Sequence, residues 1–364
     1  MRSIAVVMAG GGTGGHLYPA IAVARALLAR APDAKVTFAG TAQGLEARIV
    51  PREGFELDVI RSAGLKGKSL ARRIRGGLLL PLGFADAWRL LSRRRPDLVV
   101  GVGGYSSGPV VLTAALRGIP TMVLEQNAVP GLTNRTLARF VRTAAVTYDE
   151  TLAYFRGRGF VSGNPVRAEF LTKGRSPGAR ATEAGATRRL LVLGGSQGSH
   201  ALNVAVSGAV PSLLQRAGLA IIHQTGEREL DTMRAKYTGL EPRVRATAFL
   251  DAVADEMAAA DLAICRAGAT TLAELAAIGL PAVLVPLPTA TDDHQRKNAQ
   301  ALVARGAAVM IEERDLTSER LARDVQALVD DPARLDAMSV AMRATATPDA
   351  AKLIVDRMLT LCHG

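Results

Sequence analysis

A chain of 364 residues with 48 % hydrophobic and 21 % charged side chains is too long for one ordinary core and is neither disordered nor fibrous, so two domains are expected. Two cysteines, Cys265 and Cys362, exclude a disulfide framework and fit no zinc-ligand spacing, which points to a reducing, cytoplasmic compartment. Residues 1–160 hold 22 Lys and Arg against 10 Asp and Glu while residues 161–364 hold 23 of each, so the whole +12 excess lies in the first half and implies an anionic partner there.

Aromatic residues make up 4 % of the chain, too few to offer stacking platforms for nucleic acid, and a lipid surface is favoured. The apolar run Ile4–Ala9 breaks into Gly10–Gly15 and reads as a buried strand entering a loop, not as a signal peptide. Gly10-Gly-Gly-Thr-Gly-Gly-His16 satisfies G-x-G-x-x-G. The next strand, Val36–Ala39, ends Phe38-Ala39-Gly40-Thr41 without the acid that would hold a dinucleotide ribose. His16 and Leu17 stand where a Walker loop has Lys and Ser or Thr. Two readings stay open: a tight βα turn, or a bare backbone that an anion or sugar approaches closely. His16, at the loop–helix junction, could serve as base, hydrogen-bond donor or cap.

Lys66–Arg95 carries nine basic residues and one acid, Asp86, around Ile74, Leu78, Leu79, Leu80, Leu82, Phe84 and Trp88. An apolar patch rimmed by Arg72, Arg73, Arg75, Arg89 and Arg93 fits an element lying in a membrane interface; the alternative is a solvated amphipathic helix over the core. No stretch approaches 18 uninterrupted apolar residues, so no transmembrane helix is expected.

Leu98–Val100 runs into Gly101–Gly108, and Thr121–Leu124 is a further buried-strand candidate. Gly163-Asn164-Pro165-Val166, followed by a polar stretch to about Thr187, marks a domain boundary. Leu190–Leu193 then enters Gly194–Gly198, where Ser196 and the loop amides form a nest for a diphosphate, or Ser196 caps a helix. Ala220–His223 and Ala282–Val285 are strand candidates, and Leu262–Cys265 leads into Gly268. Thr271-Leu-Ala-Glu274 is a capping box by spacing; alternatively Glu274 accepts from two ribose hydroxyls while Ala269, Thr270 and Thr271 face a phosphate. Asp292-Asp-His-Gln295 reads as a solvated loop, with no second ligand cluster to make a metal site. No Asp-x-Asp occurs, so helix N-termini and amides are expected to neutralise a leaving diphosphate. Pro348 precedes a helix-like segment, Asp349–Leu361, that could pack back on the first domain. Repeated strand, glycine turn and helix predict an α/β chain of two Rossmann-like domains with parallel sheets.

Seven segments in order resemble the MurG family, the N-acetylglucosaminyltransferases of bacterial peptidoglycan precursor synthesis. They are Gly10-Gly-Gly-Thr-Gly-Gly-His16, Gly101-Val-Gly-Gly-Tyr-Ser-Ser-Gly-Pro109, Glu125-Gln-Asn127, Gly163-Asn-Pro-Val-Arg167, Gly194-Gly-Ser-Gln-Gly198, Cys265-Arg-Ala-Gly268 and His294-Gln295. The resemblance implies a GT-B fold with domains facing a cleft, inversion at the anomeric carbon, and no cofactor or metal. Residues 1–163 with a C-terminal helix at about 347–364 would bind acceptor and membrane, and residues 164–346 the UDP-sugar. His16 would be the catalytic base, with Glu125 the next candidate. Thr13, Gly14 and Gly15 would line the donor-sugar and acceptor side, Asn127 would contact N-acetylglucosamine, and Arg167 and Ser196 would meet the diphosphate region. Leu250 would lie near uracil, Ala269, Thr270, Thr271 and Glu274 around phosphate and ribose, and Gln295 against sugar hydroxyls.

The implied partners are UDP-N-acetylglucosamine, a lipid-linked N-acetylmuramoyl-pentapeptide and the anionic cytoplasmic face of the bacterial inner membrane, with no nucleic acid. Leu78, Leu79, Leu82, Phe84, Trp88, Arg72, Arg73 and Arg75 would make the membrane contact. A UDP-N-acetylglucosamine 2-epimerase of the same architecture and a basic nucleic-acid-binding module are the rival readings.

Overall fold

Successive residues of Ala5–Gly10 alternate between two apolar environments: Val6 and Met8 enter one buried cluster, Val7 and Ala9 another. A strand apolar on both faces needs cover on both, the mark of an interior parallel strand. The computed structural model describes residues 3–62, 70–174, 187–195 and 197–363 and, for residues 70–79 and Thr291, the backbone alone. The chain divides into two compact units, Met1–Arg167 with Thr347–Gly364, and Ala168–Ala346.

The first unit holds a parallel sheet of seven strands: β1 (Ala5–Gly10), β2 (Lys35–Gly40), β3 (Glu56–Val59), β4 (Leu98–Gly103), β5 (Thr121–Glu125), β6 (Thr143–Val146) and β7 (Gly159–Val161), in the order β3-β2-β1-β4-β5-β6-β7. On one face the helix Gly14–Arg30 buries Leu17, Ile21 and Leu27, joined by Ile354, Val355 and Met358 of the terminal helix Ala350–His363. The other face is covered by the helix Leu70–Arg94, through Ala87, Leu90 and Leu91, and by Ser107–Leu116, through Val110, Val111 and Ala114.

The second unit repeats the plan with six parallel strands: β8 (Arg188–Leu193), β9 (Leu219–Gln224), β10 (Val244–Thr247), β11 (Leu262–Cys265), β12 (Ala282–Leu284) and β13 (Ala308–Met310), ordered β10-β9-β8-β11-β12-β13. That is the doubly wound nucleotide-binding order. The strand order reverses between β1 and β4 in one sheet and between β8 and β11 in the other. Ligands of open α/β sheets bind outside the carboxyl ends of the strands at such a reversal. All four strands there end in the glycine turns read from the sequence. Five others, β3, β6, β7, β10 and β13, are three or four residues long and lack that signature, so they escape a reading of the sequence alone.

Ile354 is 1 % exposed in the cluster beneath the helix Gly14–Arg30. Ile354→Ala should destabilise the first unit by about 2–4 kcal/mol, read as a lowered urea midpoint; a loss below about 0.5 kcal/mol would make the terminal helix peripheral.

Candidate active site

At the first reversal the loop after β1 and the loop after β4 lie against each other. The Gly11 N–H donates to the Gly103 carbonyl at 3.3 Å, and a Cβ on Gly10 would stand 2.2 Å from that oxygen. The register of β1 against β4 shifts at this point, between Ala9 and Gly10. Thr13 is the exposed N-cap of the helix Gly14–Arg30, and its side chain makes no capping bond. Gly14, Gly15 and His16 follow, half-buried in the first turn. His16 is therefore inside the helix and does not cap it, contrary to one of the roles the sequence allowed. Its Nδ1 lies 3.3 Å from the Gly11 carbonyl and 3.3 Å from the Thr13 hydroxyl. A carbonyl can only accept, so a bond to Gly11 puts the ring proton on Nδ1 and leaves Nε2 with its lone pair. A Cβ on Gly103 would meet the ring edge, 2.8 Å from Nε2, so only a glycine admits the imidazole there.

The acid absent from the end of the second strand stands farther along. Glu46, in the first turn of the short helix Glu46–Arg52, is 1 % exposed. Its Oε2 accepts from the Gly12 N–H at 2.7 Å, and its Oε1 from the Thr41 N–H and hydroxyl, both at 2.8 Å. The Gly12 amide is thus committed to a carboxylate, and of the two approaches left open for this loop, a sugar hydroxyl fits better than an anion. Nothing in the spacing of the glycine motif announces Glu46, because it reaches back across a βα loop.

Glu125, at the end of β5, is 3 % exposed. Its Oε1 accepts from the Asn127 N–H at 3.0 Å and side-chain amide at 3.2 Å; its Oε2 accepts from the Gly131 N–H at 3.1 Å and Asn134 at 2.9 Å. Burial pushes its carboxyl above the usual range, against the pull of these bonds. Both oxygens are occupied in holding the 125–131 loop. Arg167 lays its guanidinium 4.7 Å from the centre of the Tyr18 ring, on the same helix as His16.

In the second unit, helices begin just beyond the adjacent ends of β8 and β11. The helix His200–Leu213 is capped by Ser199, whose hydroxyl accepts from the Leu202 N–H. The capping role offered for Ser196 therefore falls to Ser199, and Ser196 itself lies outside the described residues. The helix Ala269–Ile278 starts after an extended Gly268, so Thr271 and Glu274 lie inside it and form no capping box. Ala269 and Thr271 are half-buried, while Thr270 and Glu274 are buried at 8 % and 6 % exposure. Arg266 ties the two helix starts together: it donates to the Ser199 hydroxyl at 2.7 Å and to the Val285 and Pro286 carbonyls, and pairs with Glu313. Leu250 is buried ahead of the helix Val253–Ala259. Gln295 accepts from the Leu287 N–H at 3.0 Å, which directs its amide nitrogen away from that bond. Asp292 and Asp293 take left-handed backbone angles before the helix His294–Val303, and Asp293 pairs with Arg296.

Beneath this site lies a network that the sequence does not reveal. His223, wholly buried, donates from Nε2 to Asn203 Oδ1 (3.0 Å) and accepts from the Tyr237 hydroxyl at Nδ1 (2.8 Å). Asn203 also donates to the Thr225 carbonyl at 2.9 Å and to Glu229 at 3.1 Å. A Cβ on Gly198 would stand 2.2 Å from that same carbonyl, so the network supports the backbone against which Gly198 packs. Burial pushes the His223 pKa down to about 4. Cys265, at the end of β11, is buried with its thiol pushed up to about 12, and is inert as a nucleophile.

The helix Leu70–Arg94 is buried on one side and exposed on the other. Ala87, Leu90 and Leu91 are buried on the sheet, Phe84 is half-buried, and Leu82 and Trp88 point outward at 39 % and 57 % exposure. Arg117 stacks 4.6 Å from the Trp88 ring centre, and Arg93 is spent on Asp58. Arg93 therefore adds less free charge to the rim than the sequence suggests. The side chains of Arg72, Arg73, Arg75, Leu78 and Leu79 lie outside the described residues. Among the described residues no helix is long and apolar enough to cross a membrane.

Two parallel-sheet units with glycine turns at both reversals make the GT-B fold. Residues 6–146 match the N-terminal domain of glycosyltransferase family 28 and residues 189–354 its C-terminal domain, so the chain is a hexosyltransferase. The UDP-N-acetylglucosamine–N-acetylmuramyl-(pentapeptide) pyrophosphoryl-undecaprenol N-acetylglucosamine transferase of Anaeromyxobacter sp. (strain K) is 48 % identical over 98 % of this chain and 92 % of that protein. The crystal structure of Acinetobacter baumannii MurG matches at a TM-score of 0.77 and 31 % identity, covering 98 % of this chain and 99 % of that one. The chain belongs to the MurG family. A UDP-N-acetylglucosamine 2-epimerase from Neisseria meningitidis, 12 % identical with a TM-score of 0.66 over 99 % of this chain and all of that one, shares the fold alone.

The unfolded chain takes up a proton on His223 near pH 6.5 that the folded protein refuses until about 4. The stability carried by the neutral ring is thus complete above pH 6.5 and is lost as pH falls toward 4. Between pH 7 and 4.5 the wild type should lose about 2 kcal/mol more than His223→Gln, measured by urea unfolding; parallel pH profiles would place the ring in a solvated environment.

Proposed function

We propose that the chain transfers N-acetylglucosamine from UDP-N-acetylglucosamine to the 4-hydroxyl of an N-acetylmuramoyl-pentapeptide carried through diphosphate on undecaprenol, with inversion. This is a step of peptidoglycan precursor synthesis. The observation that carries it is the close relationship along nearly the whole chain, joined to a histidine whose Nδ1 faces a carbonyl at the turn after β1.

In the reaction the acceptor oxygen bonds to the anomeric carbon while the carbon–oxygen bond to UDP breaks and UDP leaves with the electron pair. His16 Nε2 takes the hydroxyl proton, a task suited to a group with a pKa near the working pH. Glu125 is the poorer candidate, since four hydrogen bonds already occupy its oxygens; its part is to hold Asn127 for the donor sugar. Thr13, Gly14 and Gly15 line the sugar side, and Arg167 meets the diphosphate. Backbone amides at Ala269–Thr271 stabilise the charge gathering on the leaving phosphate. Ser196 joins them, Glu274 accepts from the ribose hydroxyls, Leu250 packs near uracil and Gln295 donates to the sugar.

The acceptor's polyprenol is held in the membrane, so a peripheral enzyme would meet it at the cytoplasmic face with its basic half. Leu82 and Trp88 stand exposed in that half, next to a stretch rich in arginine. Each basic residue near anionic lipid contributes about 1 kcal/mol, enough in sum for reversible attachment.

Incubation with radiolabelled UDP-N-acetylglucosamine should label the polyprenyl-diphosphate-linked muramoyl-pentapeptide and leave other polyprenyl acceptors unlabelled. His16→Ala should lower kcat about 10²- to 10⁴-fold with donor KM nearly unchanged; a near-normal kcat at saturation would remove His16 as base. Glu274→Ala should raise donor KM about ten- to hundred-fold, and an unchanged KM would leave it a packing role. Liposomes containing anionic lipid should bind the protein at low salt, and less so after Leu82 and Trp88 become Ser; equal binding by the variant would move the contact elsewhere.

A further inference from the structure

We propose that Glu46 is a positioning residue for the transfer, acting on His16 through the peptide between Gly11 and Gly12; the inference rests on His16 being the base. The two bonds that matter belong to one peptide unit. Its N–H, on Gly12, donates to Glu46 Oε2 at 2.7 Å, and its C=O, on Gly11, faces His16 Nδ1 at 3.3 Å. Carboxylate, peptide and imidazole therefore stand in line, as carboxylate and imidazole do in a serine-hydrolase triad, with one amide interposed.

The chemistry of that arrangement is directional. An N–H bonded to an anion polarises its peptide and draws electron density onto the carbonyl oxygen, which strengthens the next bond in the chain. The Gly11 oxygen becomes a better acceptor, holds the proton on Nδ1, and leaves the Nε2 lone pair for the acceptor hydroxyl. When Nε2 takes that proton, the imidazolium is stabilised by the same carbonyl.

Three features separate this from a purely structural carboxylate. Among the described residues no cation pairs with Glu46; its hydrogen bonds come from Gly12 and Thr41 only. Burying an unpaired anion is costly, and a role in spacing alone needs no charge. The enclosure is also close. A Cβ on Gly11 would stand 2.5 Å from Oε2, one on Gly44 2.1 Å from the same oxygen, and one on Gly40 2.5 Å from Cγ. Side-chain-free backbone on three sides excludes water, and a desolvated carboxylate keeps its full pull on the amide. Finally, Thr41 clamps Oε1 with two donors, so Oε2 is turned toward Gly12 and cannot swing away.

Initial-rate kinetics with UDP-N-acetylglucosamine and the lipid-linked acceptor test this on wild type, Glu46→Gln, His16→Ala and the double variant. Glu46→Gln should lower kcat about ten- to hundred-fold with donor KM within about three-fold, and should cost nothing further in the His16→Ala background. Wild-type kcat in Glu46→Gln, with His16→Ala inactive, would overturn the positioning role and leave His16 as base. Normal kcat in His16→Ala would overturn both. Independently of how the variants fold, ¹⁵N-histidine NMR of the wild type, with His16 assigned by its loss in His16→Ala, should show Nδ1 protonated and Nε2 bare; the opposite tautomer would sink the proposal. Thr41→Val, which removes one clamp on the carboxylate, should lower kcat several-fold, and no change would count against it.

Discussion

The loops after β1 and β4 approach so closely that no side chain fits between them. A Cβ on Gly10 would stand 2.2 Å from the Gly103 carbonyl, and one on Gly104 2.5 Å from the Gly11 carbonyl. Bare backbone at the reversal of strand order is what the first unit's site is made of. It allows the imidazole of His16 to lie over Gly103 and brings the Gly11 carbonyl within reach of its Nδ1. Bulk at any of these positions would separate the loops before it touched a ligand.

The two units share a sheet plan, yet their glycine turns sit in opposite electrostatic surroundings. Behind the loop after β1 lies a buried carboxylate, Glu46, which takes up the Gly12 amide. At the turn after β11 stands a guanidinium, Arg266, bonded to the cap of the helix that follows β8. Helix N-termini beside a cation favour a phosphate, and a loop backed by an anion favours a neutral hydroxyl. The proposed function divides a pair of similar motifs in this way between nucleotide and sugar without a change of fold. Neutral support completes the second unit: His223 stays uncharged because it is buried, and through Asn203 it fixes the Thr225 carbonyl that Gly198 must pass.

The helix Leu70–Arg94 shows how one element answers two demands. Its inner face closes the core through Ala87, Leu90 and Leu91, and Trp88 and Leu82 face outward. Part of its positive charge is paired locally, Arg93 and Arg94 with Asp58 and Arg89 with Asp86 at 3.9 Å.

Eight apolar runs were legible in the sequence as strands because interior parallel strands are apolar on both faces, and four of them end in glycine turns whose positions are set by local backbone sterics. The short strands, such as Gly159–Val161, were not legible, since their pairing is decided by neighbours far along the chain. The motif residues Thr13–His16, Glu125, Asn127 and Ala269–Glu274 could be singled out by type and order, but not their surroundings. That Thr271 and Glu274 lie within a helix, that Ser199 is the cap, and that Glu125 is spent on its own loop depend on where helices begin. Glu46, Arg266 and the His223 network were invisible for a common reason: each acts across loops from different strands, and only the packed sheet brings those loops within hydrogen-bonding distance. Sequence determined the period, the turns and the chemical inventory; tertiary structure decided which polar groups are buried against which, because hydrogen bonds and desolvation act through space and not along the chain.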